Sequence, residues 1–157
     1  MHPRANGNRR HDRRAPSTRA LLNKDAMSPN TPLKVMLVED HAAFRQALVF
    51  VLKSEQGLEV IAQAGSLAEA REALEGGGLL GHLDVALIDL VLPDGEGTEL
   101  VGELRRANPS IKVIVLSADL WPWRIDELSR AGVDAVLDKV QSPRQIAREV
   151  RREGGGG

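Results

Sequence analysis

From Leu33 onward, short apolar runs alternate with amphipathic stretches. Lys34–Val38 (KVMLV) is a compact run rich in β-branched residues and predicts a strand. Phe44, Ala47, Leu48, Val51 and Leu52 then recur at helical spacing and predict a helix with one buried stripe. Leu58–Ala64 (LEVIAQA) reads as a second strand. Ser66 and Glu69 form a capping-box pair, after which Leu67, Ala70 and Leu74 supply a second helical face, ended by Gly76–Gly78. Val85–Ile88 (VALI) is apolar throughout, as a strand covered on both sides should be. A turn rich in Pro and Gly (Pro93, Gly95, Gly97) leads to a third helix on Leu100, Leu104 and Ala107, stopped near Asn108–Pro109. Ile111–Leu116 predicts a fourth strand. Ile125, Leu128 and Ala131 pattern a fourth helix that ends at Gly132, and Ala135–Leu137 predicts a short fifth strand. Ser142, Pro143 and Gln145 open a last helix with Pro at its first position, and Ile146 and Val150 form its apolar face.

Five strand–helix units in this order imply an α/β fold, with one parallel sheet and helices on both faces. The sequence divides into a basic, disordered arm (1–32), the folded domain (33–153) and a flexible glycine tail (154–157). Residues 1–30 carry seven basic side chains against Asp12 and Asp25, whereas the remainder carries 14 basic and 20 acidic residues. The arm is read first as a solvated tail and second as an anionic-surface or nucleic-acid contact. Met27 stands just before the ordered region as an alternative start. The chain has no cysteine, which excludes disulfides and thiolate metal sites. No apolar run is long enough to span a membrane and no secretory signal is visible, so the expected location is the cytoplasm.

In open parallel sheets, ligands bind at the carboxyl ends of the strands. Those ends carry Glu39-Asp40, Asp89, Ser117 and Asp138-Lys139. Taken singly, each has an ordinary reading as a turn residue, helix cap or surface lysine. Taken together, they bring carboxylates, a hydroxyl and an ammonium into one region. Crowded carboxylates repel one another, and a hard divalent cation relieves the repulsion; an oxygen-only ligand set suits Mg²⁺. With a phosphoryl donor in line, a carboxylate beside that cation can act as nucleophile, while the lysine and serine bind phosphoryl oxygens.

The segments KVMLVEDH, DVALIDLVLPDGEG, IKVIVLSA and AGVDAVLDK resemble the receiver domain of two-component response regulators, over Leu33 to Arg152. The VEDH start and LPDGEG turn are most similar to the NarL-like branch. The resemblance implies a doubly wound, CheY-like sheet of strand order 2-1-3-4-5. It makes Asp89 the phosphoacceptor, with Ser117 as switch hydroxyl and Lys139 as the phosphoryl partner. It assigns Mg²⁺ to Asp40, Asp89 and the Val91 carbonyl, with Glu39 acting through water. Backbone N–H groups of Leu90 and Ala118 would complete the cradle. The donor would be a sensor histidine kinase or a phosphotransfer protein, and the chemistry would be limited to self-phosphorylation and dephosphorylation. The output would be a protein partner or a homodimer, and DNA only through an output domain outside this chain.

Three departures stand out. The fifth strand carries Val136 where the family has an aromatic switch residue, and the chain has no tyrosine. Lys139 is followed by Val140 instead of proline, and no helix-turn-helix follows the last predicted helix. Val136 raises the alternative of a phosphorylation-independent scaffold, and the missing helix-turn-helix that of one part of a DNA-binding regulator. Trp121 and Trp123 flank Pro122 at the start of the fourth helix and are read equally as a partner surface or as local packing.

Overall fold

The computed structural model describes residues 31–76 and 78–155. The expectations for the basic arm up to residue 30, for Met27, and for Gly77, Gly156 and Gly157 lie outside these residues. From Pro32 onward the chain forms one compact unit.

The elements run β1 (Leu33–Val38), α1 (Ala42–Ser54), β2 (Leu58–Ala64), α2 (Leu67–Glu75), α3 (Leu79–His82) and β3 (Val85–Asp89). A two-residue pair, β4 (Val91–Leu92) and β5 (Gly95–Glu96), precedes α4 (Gly97–Ala107). Then come β6 (Lys112–Ser117), α5 (Pro122–Arg130), β7 (Ala135–Asp138) and α6 (Pro143–Gly155). The main sheet is parallel with order β2-β1-β3-β6-β7. Counting only its own five strands, that is the expected order. The sequence reading missed the β4–β5 hairpin and the single-turn α3.

The period of two along each central strand sorts its side chains between two cores. Met36, Val38, Ala86, Ile88, Val113 and Val115 point to the side covered by α2, α4 and α5. Val35, Leu37, Val85, Leu87, Ile114 and Leu116 point to the side covered by α1 and α6, where Leu48, Leu52, Ile146 and Val150 are fully buried. Each of these large aliphatic side chains contributes roughly 1.5–3 kcal/mol by leaving water.

Of the two predicted capping boxes, the one at α6 forms in full and the one at α2 in part. At α6, Gln145 N–H donates to Ser142 Oγ at 3.3 Å and Ser142 N–H donates to Gln145 Oε1 at 3.2 Å. At α2, Ser66 Oγ accepts from Glu69 N–H (3.1 Å), but Glu69 reaches one residue further back, to Gly65 N–H at 2.6 Å. Helix α6 continues through Gly155, two residues into the expected glycine tail. A Cβ on Gly154 would sit 2.6 Å from Val85 Cγ2, so this residue packs closely on β3. Ala47, Ala107, Ile125 and Ala131, expected on apolar faces, are exposed. α5 buries only Leu128.

Arg105 is a structural anchor that the periodicity did not reveal. It donates to the Pro109, Ile111 and Gly132 carbonyls at 3.0, 2.7 and 2.7–2.8 Å and pairs with Asp134. Asp134 in turn accepts from Val113 N–H at 2.8 Å, so one guanidinium ties α4 to the ends of β6 and α5. Arg105→Ala leaves these carbonyls unpartnered. It is expected to lower unfolding stability by about 2 kcal/mol, measured by urea denaturation at unchanged m-value.

Candidate functional site

The sheet delivers the expected residues to one edge. Asp89 ends β3 opposite Leu116, and Ser117 ends β6 opposite Asp138. Glu39 follows β1 and is tied to β2 by its N–H to the Ala64 carbonyl (2.9 Å). Lys139 follows β7 and donates its N–H to the Ser117 carbonyl (3.0 Å). Asp40, His41, Asp89, Leu90, Val91, Ser117, Ala118, Asp119 and Lys139 line an open cleft of about 380 Å³.

Lys139 is the centre of charge. Its Nζ lies 2.9 Å from Asp89 Oδ2 and 3.0 Å from Glu39 Oε2, and donates to Glu39 Oε1 at 3.2 Å. It also sits 5.1 Å from the Phe44 ring centroid, within cation–π range. Burial disfavours the ammonium, but its hydrogen bonds to Asp89 and Glu39 outweigh that and hold its pKa above the usual lysine value. Phe44 was read from the sequence only as part of a helix face; its contact with Lys139 became visible only in three dimensions.

Glu39 is fully buried. Burial, reinforced by the nearby Asp89 charge, raises its pKa to about 7 against the opposing pull of Lys139 and of the His41 N–H. The fold therefore penalises the ionised form, fully above pH 7 and not at all below the ordinary glutamate range. Glu39→Gln is expected to be more stable than the parent above pH 7 in buffer free of divalent cations. The difference should shrink as pH falls toward 4.5, and parallel denaturation curves across that range check it.

Glu39, Asp40 and Asp89 each offer a carboxylate oxygen, all within 4.8 Å of one another. Glu39 Oε2 is buried with no hydrogen-bond partner: the ammonium stands near it but out of hydrogen-bond line. A buried carboxylate oxygen without a hydrogen bond, beside two further carboxylates, fits a hard divalent cation with oxygen ligands.

The remaining expectations divide. Val91 lines the cleft, and its N–H donates to Asp89 Oδ1 at 3.2 Å. Leu90 N–H, expected in the cradle, is already donated to the Leu116 carbonyl at 3.1 Å, because the chain stays in ladder with β6 for one residue beyond Asp89. Ala118 lines the cleft. The buried Ser117 hydroxyl faces its own loop: it donates to the Asp119 carbonyl (2.9 Å) and accepts from the Asp119 N–H (3.0 Å). Trp121 and Trp123 are 62% and 65% exposed, so neither is packed beneath the loop.

Gly97 accounts for the tight turn after Asp89. A Cβ there would lie 2.4 Å from the Asp89 carbonyl oxygen, so α4 starts directly against the backbone of the central carboxylate.

Residues 35–151 match the model of the response regulator receiver domain. The chain belongs to this family. The receiver is 32% identical over 124 residues to the DNA-binding transcriptional activator DevR/DosR of Mycobacterium tuberculosis, covering 79% of this chain and 55% of that protein. It is 29% identical over 124 residues to the response regulator protein VraR of Staphylococcus aureus, covering 76% and 56%. The chain thus spans about half the length of these relatives. Its fold matches the signal receiver domain of the putative response regulator NarL from M. tuberculosis with a TM-score of 0.71 at 24% identity, over 81% of this chain and 99% of that one. Receivers are signalling modules, and the acidic cluster of this one lies where the sheet topology places a ligand. No helix among the described residues is long and apolar enough to cross a membrane.

Proposed function

We propose that this receiver accepts a phosphoryl group on Asp89 from the phosphohistidine of a sensor kinase or phosphotransfer protein in the cytoplasm, and that the modification changes the surface around α5. The observation that carries the reading is the Asp89 carboxylate, 2.9 Å from Lys139 Nζ and beside the Glu39 and Asp40 carboxylates at the mouth of an open cleft.

In the transfer, an Asp89 oxygen forms a bond to phosphorus as the donor's phosphorus–nitrogen bond breaks, leaving its electron pair on the imidazole. Lys139 holds positive charge where the phosphoryl oxygens arrive. Asp40, Asp89, the Val91 carbonyl and Glu39 would hold Mg²⁺, which neutralises charge on the transferring group. Ser117 would exchange its Asp119 partners for a phosphoryl oxygen. That exchange frees the Asp119–Trp121 loop that leads into α5. Partner binding or dimerisation through this face is the proposed output, with Trp121 and Trp123 as its exposed aromatic anchors.

The chain's two tryptophans both lie at the start of α5, and there is no tyrosine. Intrinsic fluorescence therefore reports on this surface. Mg²⁺ with beryllofluoride is expected to shift the emission saturably in the parent protein and not in Ser117→Ala. An equal shift in Ser117→Ala would remove Ser117 from the path, and no shift in either would favour the phosphorylation-independent scaffold.

A second reading rests on length and on one relative's description. Because the match covers only 55–56% of the curated relatives' length and one of them is described as DNA-binding, this receiver would govern a DNA-binding output in a longer polypeptide. A helix-turn-helix encoded in frame downstream would support it.

A further inference from the structure

The β4–β5 hairpin carries Val91, the residue whose carbonyl would join the metal site, yet little holds it in place. A two-residue ladder has almost no stability of its own. Val91 is 72% exposed, Pro93 and Glu96 are exposed, and Leu92 is the hairpin's one buried apolar side chain. The Gly97 N–H donates to the Leu90 carbonyl at 2.8 Å, which fixes the base of the hairpin but not its tip.

The tip is fixed by Asp94. Its Oδ1 accepts from Leu67 N–H at 2.8 Å and its Oδ2 from Ala68 N–H at 2.9 Å. These are first-turn donors of α2, some 26 residues away in sequence, that a helix cannot satisfy from within. Helix α2 already has a local cap in Ser66, which serves Glu69 N–H, so the two caps divide the donors without competing. Both bonds favour the ionised carboxylate and hold the Asp94 pKa below the usual aspartate range, as expected at a helix N-terminus. The tip also fits tightly: a Cβ on Gly95, at φ +151°, would lie 2.8 Å from Leu67 Cδ1.

We infer that Asp94 is a positioning residue for the metal site: by clamping the hairpin tip to the N-terminus of α2, it sets where the Val91 backbone stands relative to Asp89 and Asp40. This rests on the reading of the cleft as a divalent-cation site. Asp94 touches neither cation nor phosphoryl group; it acts through the hairpin, as outer groups orient the ligands of other metal sites.

The test is binding of Mn²⁺ alone to the full chain, followed by loss of the free-ion electron paramagnetic resonance signal, with fold checked by circular dichroism. Asp94→Ala is expected to weaken Mn²⁺ binding on the order of tenfold. Asp94→Asn, which keeps one acceptor oxygen, should fall between it and the parent. Ser66→Ala removes the other cap of the same helix and should bind Mn²⁺ like the parent. Unchanged affinity in Asp94→Ala, with binding lost in Asp40→Asn, would overturn this inference and leave the metal site standing. Equal weakening in Asp94→Ala and Ser66→Ala would overturn it in favour of general loosening of α2. Absence of Mn²⁺ binding in the parent would overturn the metal site and the inference with it.

Discussion

Asp89→Asn is expected to accept no phosphoryl group from any donor, while folding as the parent does. The carboxylate is the only feature of residue 89 that the chemistry needs, because an amide oxygen is a poor nucleophile and carries no charge to bind a cation. The fold needs little of that charge. Asp89 is 4% exposed, and its Oδ1 accepts one hydrogen bond, from Val91 N–H, that an asparagine oxygen can also accept. Its Oδ2 pairs with Lys139, but Lys139 keeps Glu39 as a second partner. The Asp89 charge also adds to the burial cost of ionised Glu39, so the substitution relieves one repulsion as it removes one attraction. Intact mass after incubation with Mg²⁺ and acetyl phosphate checks the chemistry, and a thermal melt checks the fold.

Lys139→Ala is expected to slow phosphoryl acceptance by about 10²–10³-fold, the cost of losing one preorganised group aimed at developing charge. The ammonium is fixed before any donor arrives, by Asp89, Glu39 and the Phe44 ring, so the parent reorganises little during transfer. Without it the acidic cluster has lost the one cation that its side chains contact among the described residues, and its need for a divalent cation grows. The same variant should therefore bind Mg²⁺ at least as tightly as the parent. Acceptance rates at saturating Mg²⁺, with calorimetry of Mg²⁺ binding, separate the two effects. A rate equal to the parent's would mean that Lys139 serves only to neutralise Glu39.

The parts of this architecture that were legible in the sequence are those written in local periodicity. VALI at residues 85–88 is apolar at every position because β3 is covered on both faces, and IKVIVL reads as a strand for the same reason. The strand ends followed at once, and with them Glu39, Asp40, Asp89, Ser117 and Lys139, because the topology leaves these ends facing one cleft. Ile125 and Ala131 misled because α5 touches the core through Leu128 alone, so three spaced apolar residues overstated its buried face. The glycine run from Gly154 looked like a tail, yet the lack of a side chain is what lets α6 approach Val85. Asp94 and Arg105 were opaque for another reason: their partners lie 26 or more residues away in several of their bonds, and neither belongs to a periodic stripe. The orientation of Ser117 was equally unreadable, since a rotatable hydroxyl leaves no trace in the pattern.

The central claim is that Asp89 itself forms the acyl phosphate, and borohydride trapping tests it most directly. After reaction with acetyl phosphate and Mg²⁺, borohydride delivers one hydride to an aspartyl phosphate carbonyl, expelling phosphate, and a second to the resulting aldehyde, converting that residue to homoserine. Peptide mass mapping is expected to find homoserine at position 89 alone, and only when Mg²⁺ was present. Homoserine at Asp40 or another carboxylate, or none in a protein shown to be folded and metal-loaded, would contradict the account.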